Sequence, residues 1–178
     1  MSHGTLSACR SAGRHGVSVE VIDSHSPFRV GDLEIQPFPV PHDAREPVQF
    51  SFTDGRRRLG VLTDLGCSTP HVERLLHGCD ALVLECNPDA AMLKAGDYPA
   101  KLKRRIAGRL GHLDNQAAAG LLATLDVSRL QHIVAAHLSR QNNTPALARS
   151  ALASVLGCSE AWIGVADQDE GFGWRELL

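Results

Sequence analysis

The first third of the chain alternates apolar and polar positions at the two-residue period of strands. Residues 17–22 form a β-branched run of this kind, residues 30–40 hold a second with Leu33, Ile35 and Phe38, and residues 48–52 a third. Asp54-Gly55 then supplies a tight turn ahead of the apolar run 59–63. Only residues 4–14, small and polar with Leu6 and Cys9 on one face, predict a helix here, ending near Gly16.

From residue 68 the period lengthens. Ser68-Thr69-Pro70 offers a helix cap with proline in the first turn, and Val72, Leu75 and Leu76 recur at helical spacing as far as Gly78. Ala81 to Glu85 is a continuous apolar run ending in a carboxylate, the pattern of a strand covered on both faces. Residues 99–110 predict a basic helix with Leu102, Ile106 and Leu110 on one side, and 114–125 a second helix before the strand 132–136. Residues 144–156 predict a further helix, opened by Thr144-Pro145 and stopped by Gly157, and the runs 161–166 and 172–174 predict closing strands. With no repeat and no linker, the 178 residues are expected to form one α/β domain with a β-rich start.

Composition narrows the partners. A formal net charge of -2 gives no global attraction to nucleic acid or to an acidic membrane, so affinity for a polyanion must reside in a local patch. Five cysteines at wide spacing, with no C-x-x-C pair, argue against a disulfide framework and for a reducing, cytoplasmic setting. No apolar run approaches the roughly 20 residues that a membrane span requires, and no basic-then-apolar leader opens the sequence, so no membrane partner is expected.

Three strand ends deliver groups with chemistry. Asp64 follows the run 59–63, at the C-terminal end where open α/β sheets place their ligands, and His42 and His137 follow two other strand candidates. Imidazole and carboxylate are ligands that zinc and manganese accept, and a carboxylate can bridge two ions. Each residue alone reads first as a strand-end polar group satisfied by backbone; three at one rim point to a metal site.

The surrounding words are Pro41-His42-Asp43-Ala44-Arg45-Glu46-Pro47-Val48, Gly60-Val61-Leu62-Thr63-Asp64-Leu65-Gly66, Leu84-Glu85-Cys86-Asn87, Gly111-His112-Leu113-Asp114-Asn115 and His137-Leu138-Ser139-Arg140-Gln141-Asn142-Asn143-Thr144-Pro145. In this order they resemble the second half of a metallo-β-lactamase-fold hydrolase of the YycJ/WalJ-like branch, from about residue 1 to the end. The resemblance implies an αββα sandwich, of which this chain supplies a part: a mixed sheet with flanking helices. It implies hydrolysis of a nucleic-acid phosphodiester, exonuclease-like, by a metal-bound hydroxide. It assigns His42 and His137 as metal ligands, Asp64 as the bridging and catalytic carboxylate, and His112 as a catalytic group on the substrate side. The complete domain would hold two divalent ions, zinc or manganese.

The sequence departs from that family in two places. No two of its nine histidines stand in an H-x-H pair, so the upstream H-x-H-x-D-H signature is absent, and Pro88 stands where the branch carries a histidine. The expectation is a domain lacking its N-terminal portion, with Met1 an internal methionine, weak metal binding, and an exposed sheet face through which the chain self-associates. The rival from another class is a non-catalytic remnant serving as a binding or interaction module. Lys101, Arg105 and Arg109, at i, i+4 and i+8 with Lys103 and Arg104 nearby, read first as a solvated basic face and second as a holder of phosphates.

Overall fold

A computed structural model describes residues 1–9, 16 and 18–178. Seven strands follow one another across a single sheet in chain order: β1 (Phe28–Val30), β2 (Leu33–Pro39), β3 (Val48–Thr53), β4 (Arg58–Leu62), β5 (Ala81–Glu85), β6 (His132–Ala136) and β7 (Gly164–Val165). Strands β1 to β4 are an antiparallel meander, and β4 to β7 run parallel. The split follows from the connections. Turns such as Asp54-Gly55, with Gly55 at φ 90°, join antiparallel neighbours, whereas helical crossovers join parallel ones.

The helices are α1 (His3–Ala8), α2 (Pro70–Leu76), α3 (Ala90–Ala95), α4 (Ala100–Ile106), α5 (Asn115–Thr124) and α6 (Pro145–Leu156). Thr69, Asp89, Asp114 and Thr144 cap α2, α3, α5 and α6 through their side-chain oxygens, and Gly157 ends α6 in the left-handed conformation. Val72 and Leu76 of α2, Leu121 and Leu122 of α5 and Leu152 of α6 join Leu62, Leu82, Leu84 and Ile133 of the sheet in one buried cluster. The alternate residues Phe50, Phe52, Leu59, Val61 and Val83 point the other way and stay half-exposed. A cavity of about 380 Å³ lies between Leu59, Val83 and Val134 of that second face and Phe172, Trp174 and Leu177 of the C-terminal segment.

Several expectations are corrected. Residues 18–22 form no strand: Val21 is exposed and, among the described residues, the segment bonds only to Met1, whose backbone carbonyl accepts the Ile22 N–H at 3.0 Å, so no sheet neighbour is found there. Residue 17 and residues 10–14 of the expected first helix lie outside the described residues. The basic helix stops at Ile106, because Gly108 and Gly111 turn the chain, and α3 adds a third helix before β6. At the C-terminus a 3₁₀ turn (Glu160–Trp162) precedes a β7 of two residues, and residues 172–174 are not a strand, since only the Asp167–Gly171 bridge closes that loop.

Candidate metal centre

Strands β2, β4, β5 and β6 point in one direction, so their C-terminal ends share one rim of the sheet. Each delivers a side chain there: His42 after β2, Asp64 after β4, Glu85 as the last residue of β5, and His137 directly after β6. His112 arrives from the loop between α4 and α5. His42, Asp64, His112 and His137 all line a cavity of about 370 Å³, with Tyr98, Leu102, Arg105 and Ile106 as its other wall. Every site residue expected from the sequence is therefore at one place.

The backbone pays particular attention to two of them. Asp64 has φ 53° and His137 φ 56°, in the left-handed region that costs a non-glycine residue about 1 kcal/mol or more. Such a conformation turns the side chain off the strand axis and onto the rim. Asp and His are among the residue types that tolerate it best. Gly66 lies against the Arg109 backbone, where a Cβ would collide, so the chain leaving Asp64 packs directly on the segment that carries His112.

Glu85 organises the rest, and the sequence reading passed over it. Its carboxylate has no solvent exposure. Oε1 accepts hydrogen bonds from Nδ1 of His112 and Nδ1 of His137, both at 2.8 Å, and Oε2 accepts the backbone N–H groups of Leu65 at 2.9 Å and Leu113 at 3.2 Å. Burial by itself would raise its pKa. The donors from His112, His137 and Leu65 outweigh that and hold it down at about 2. The hydrogen bond to Glu85 in turn raises His137 above its ordinary value, against the opposing effect of burial. A carboxylate at the end of an apolar run was the available signal; that it would meet two imidazoles depended on the neighbouring strand and on a distant loop.

The third imidazole is fixed in the same sense. His42 Nδ1 bonds the Gly111 carbonyl at 3.0 Å. All three histidines thus spend Nδ1–H on an oxygen acceptor and keep Nε2 as the free lone pair, the arrangement in which outer partners hold ligating histidines. Asp64 Oδ1 stands 3.8 Å from His42 Nε2, 3.9 Å from His112 Nδ1 and 3.8 Å from His137 Nδ1, too far to bond any of them directly. Ligand-capable atoms of Asp64, Glu85, His112 and His137 lie within 4.8 Å of one another. This oxygen and nitrogen set fits a borderline divalent metal. Glu85, saturated by four donors, serves as the outer partner of that set. His42 falls outside this group of four, although its ring centroid is 5.2 Å from that of His112.

The class of protein follows from fold and sequence together. The chain belongs to the metallo-β-lactamase-type family: the model of the beta-lactamase superfamily domain matches residues 4–133. Over 148 residues it is 39% identical to exodeoxyribonuclease YycJ of Bacillus anthracis, taking in 83% of this chain and 52% of that protein. It is 32% identical over 135 residues to exodeoxyribonuclease WalJ of Streptococcus pneumoniae, with 76% and 50% covered. The chain spans about half the length of the curated relatives it matches. Its fold is that of Zn²⁺-bound PqqB from Methylobacterium extorquens, with a TM-score of 0.64 at 21% identity over 94% of this chain and 60% of that one. The family and branch that five short words suggested are those found across the chain. Among the described residues no helix is long and apolar enough to cross a membrane.

Proposed function

We propose that this site hydrolyses phosphodiester bonds of nucleic acid with the help of divalent metal, zinc or manganese, held by His42, Asp64 and His137. The observation that carries the reading is the convergence of Asp64 with three imidazoles whose Nδ1 atoms are all engaged, two of the four residues being held in left-handed backbone. A pure binding module has no use for that strain. The likeness to proteins named exodeoxyribonucleases supports nucleic acid as the substrate.

Bound divalent ions supply a lowered pKa for water and neutralise charge on the phosphate. The chain's own residues do the rest. Asp64, 41% exposed at its side chain, presents oxygens to the cavity between His42 and His137. His112 holds its proton on Nδ1 against Glu85, which leaves the Nε2 lone pair free to take a proton from water as a general base. Leu102 and Ile106 supply an apolar part of the cavity wall.

The test uses the purified 178-residue chain with Mn²⁺ or Zn²⁺, assayed on bis(4-nitrophenyl) phosphate and on an end-labelled oligonucleotide. Hydrolysis of both, abolished in Asp64→Ala and reduced about 10²-fold or more in His112→Ala, is expected. A chain that binds metal stoichiometrically yet cleaves neither substrate overturns the proposal. The second sheet face carries a companion expectation: with Phe50, Phe52, Leu59, Val61 and Val83 only half-buried, the chain self-associates through that face. Sedimentation showing a monomer at all concentrations would refute it.

A further inference from the structure

Cys86, Asn87 and Pro88 carry the chain away from Glu85 and off the rim of the sheet. The residue before a proline is confined to extended backbone, so Pro88 stiffens this exit. It lies between the two segments that bear His112 and His137. On one side the Asn87 N–H donates to the Leu113 carbonyl at 2.8 Å, and the Pro88 carbonyl accepts the Asn115 N–H at 3.1 Å. On the other the Cys86 N–H donates to the Ala136 carbonyl at 3.0 Å, and the Asn87 carbonyl accepts the Ser139 N–H at 2.8 Å. Both imidazole-bearing segments are thus paired to the same three residues, directly after the carboxylate that holds both rings.

Regular strand pairing cannot run through His137, because its φ of 56° turns the backbone out of the strand. The side chain of Asn87 bridges that break: its Nδ2 donates to the His137 carbonyl at 2.7 Å. Behind it Asn115 and Asn143 are buried, with amides bonded reciprocally at 3.0 and 2.9 Å. Asn143 Nδ2 also reaches the carbonyls of Cys86 at 2.8 Å and Asn87 at 3.1 Å, and its Oδ1 accepts the Thr144 N–H at 2.8 Å. A buried amide network satisfied in this way is rigid. Helix capping does not require it, because the side chains of Asp114 and Thr144 already cap α5 and α6.

We propose that Asn87 is a positioning residue of the metal centre: through the His137 carbonyl it holds His137 in its left-handed conformation, and the Asn115–Asn143 pair keeps that hold in register with the segment bearing His112. The division of labour is plain in the contacts. Glu85 orients the two rings by their Nδ1 atoms, whereas Asn87 sets the backbone from which the His137 ring projects. A left-handed residue lies uphill by about what one hydrogen bond contributes, so a single amide is enough to decide whether His137 keeps that conformation. This deepens the metal-centre reading above and rests on it for the ligand role of His137.

The first readout needs no metal. In the metal-free full chain, NMR follows the Nδ1 protons of His137, bonded to Glu85, and of His42, bonded to the Gly111 carbonyl. Asn87→Ala is expected to speed exchange of the His137 proton with water about ten-fold or more and to leave the His42 proton as in the wild type. The second readout is Zn²⁺ affinity by titration calorimetry, which should fall about ten-fold or more in the same variant. Asn87→Asp, equal in size but without the N–H donor, should match Asn87→Ala and carries the test if that variant does not fold. Asn87→Gln keeps the amide and should recover part of both losses. Asp80→Ala, destabilised at the other end of β5, should change neither readout. The proposal is overturned if the wild-type His137 proton is unprotected, if the His137 and His42 protons speed up together, or if Asn87→Ala and Asn87→Asp exchange as the wild type does. It is equally overturned if Asn87→Gln does no better than Asn87→Asp, or if a chain that binds Zn²⁺ keeps its affinity in Asn87→Ala. A wild-type chain that binds no Zn²⁺ overturns the ligand role of His137 instead, and the exchange data still decide the role of Asn87.

Discussion

Two buried carboxylates flank β5, Asp80 just before it and Glu85 at its far end, and they are satisfied in opposite ways. Asp80 meets permanent cations: Arg129 Nη2 at 3.1 Å from both oxygens, Arg57 Nη1 at 3.5 Å, and the Arg58 N–H at 2.8 Å. Its backbone carbonyl also accepts the Gln131 N–H at 2.7 Å. The result ties β4, β5 and the approach to β6 into one edge and offers nothing to a substrate. Glu85 meets two imidazoles and two backbone N–H groups, so its partners keep a second nitrogen each for other work. The same residue chemistry makes a structural clamp at one end of a strand and, at the other, holds two imidazoles of the candidate metal centre. The difference lies in the partners: guanidinium stays charged and has no acceptor, whereas imidazole carries one proton and one lone pair.

The contrast can be broken from either end. Asp80→Ala is expected to cost about 2–3 kcal/mol in urea denaturation, since it orphans the Arg58 N–H and two arginines that keep only part of their access to water, while metal binding stays as in the wild type. A loss of metal affinity in that variant would mean that the two ends of β5 are not separable. Glu85→Gln puts an amide N–H₂ against groups that are themselves donors. Zinc or manganese affinity, read by titration calorimetry, should fall about 10–100-fold, or about 1.4–2.7 kcal/mol. Unchanged affinity would remove Glu85 from the metal centre.

The smallest effect is the dependence of stability on pH in the metal-free chain, and it sharpens the same comparison. His137 is held above its ordinary 6.5, chiefly by the hydrogen bond to Glu85, so its contribution is complete below about 6.5 and is lost as pH rises through the folded value. Glu85 is held near 2 against an ordinary 4.5, so its contribution is present above 4.5 and is lost as pH falls toward 2. Melting by circular dichroism should therefore weaken on both sides of a plateau between pH 4.5 and 6.5. Asp80→Ala should keep that shape at a lower level, because it leaves the hydrogen bond between Glu85 and His137 in place; Glu85→Gln should flatten it.

What the sequence determined by itself was local. Alternation placed β2, β3 and β4 well. The Thr69, Asp114 and Thr144 caps, with Gly157 beyond the last helix, set α2, α5 and α6 to within a residue or two, because capping and turn chemistry act over three or four positions. It also delivered His42, Asp64, His112 and His137 as candidates, since short words around strand ends keep their order whatever the rest of the fold does. The run 18–22 failed for the opposite reason: its alternation is sound, but a strand needs a neighbour, and that is not written in the run.

Tertiary structure alone decided that these four side chains share one cavity. That required β2, β4, β5 and β6 to point the same way, so that positions up to 95 residues apart, from His42 to His137, end at one rim. It alone gave Glu85 its role, because the imidazoles it holds come from the adjoining strand end and from a loop beyond α4. It also set Asp64 and His137 in left-handed backbone, a local cost that no local preference would choose and that only the surrounding packing can sustain.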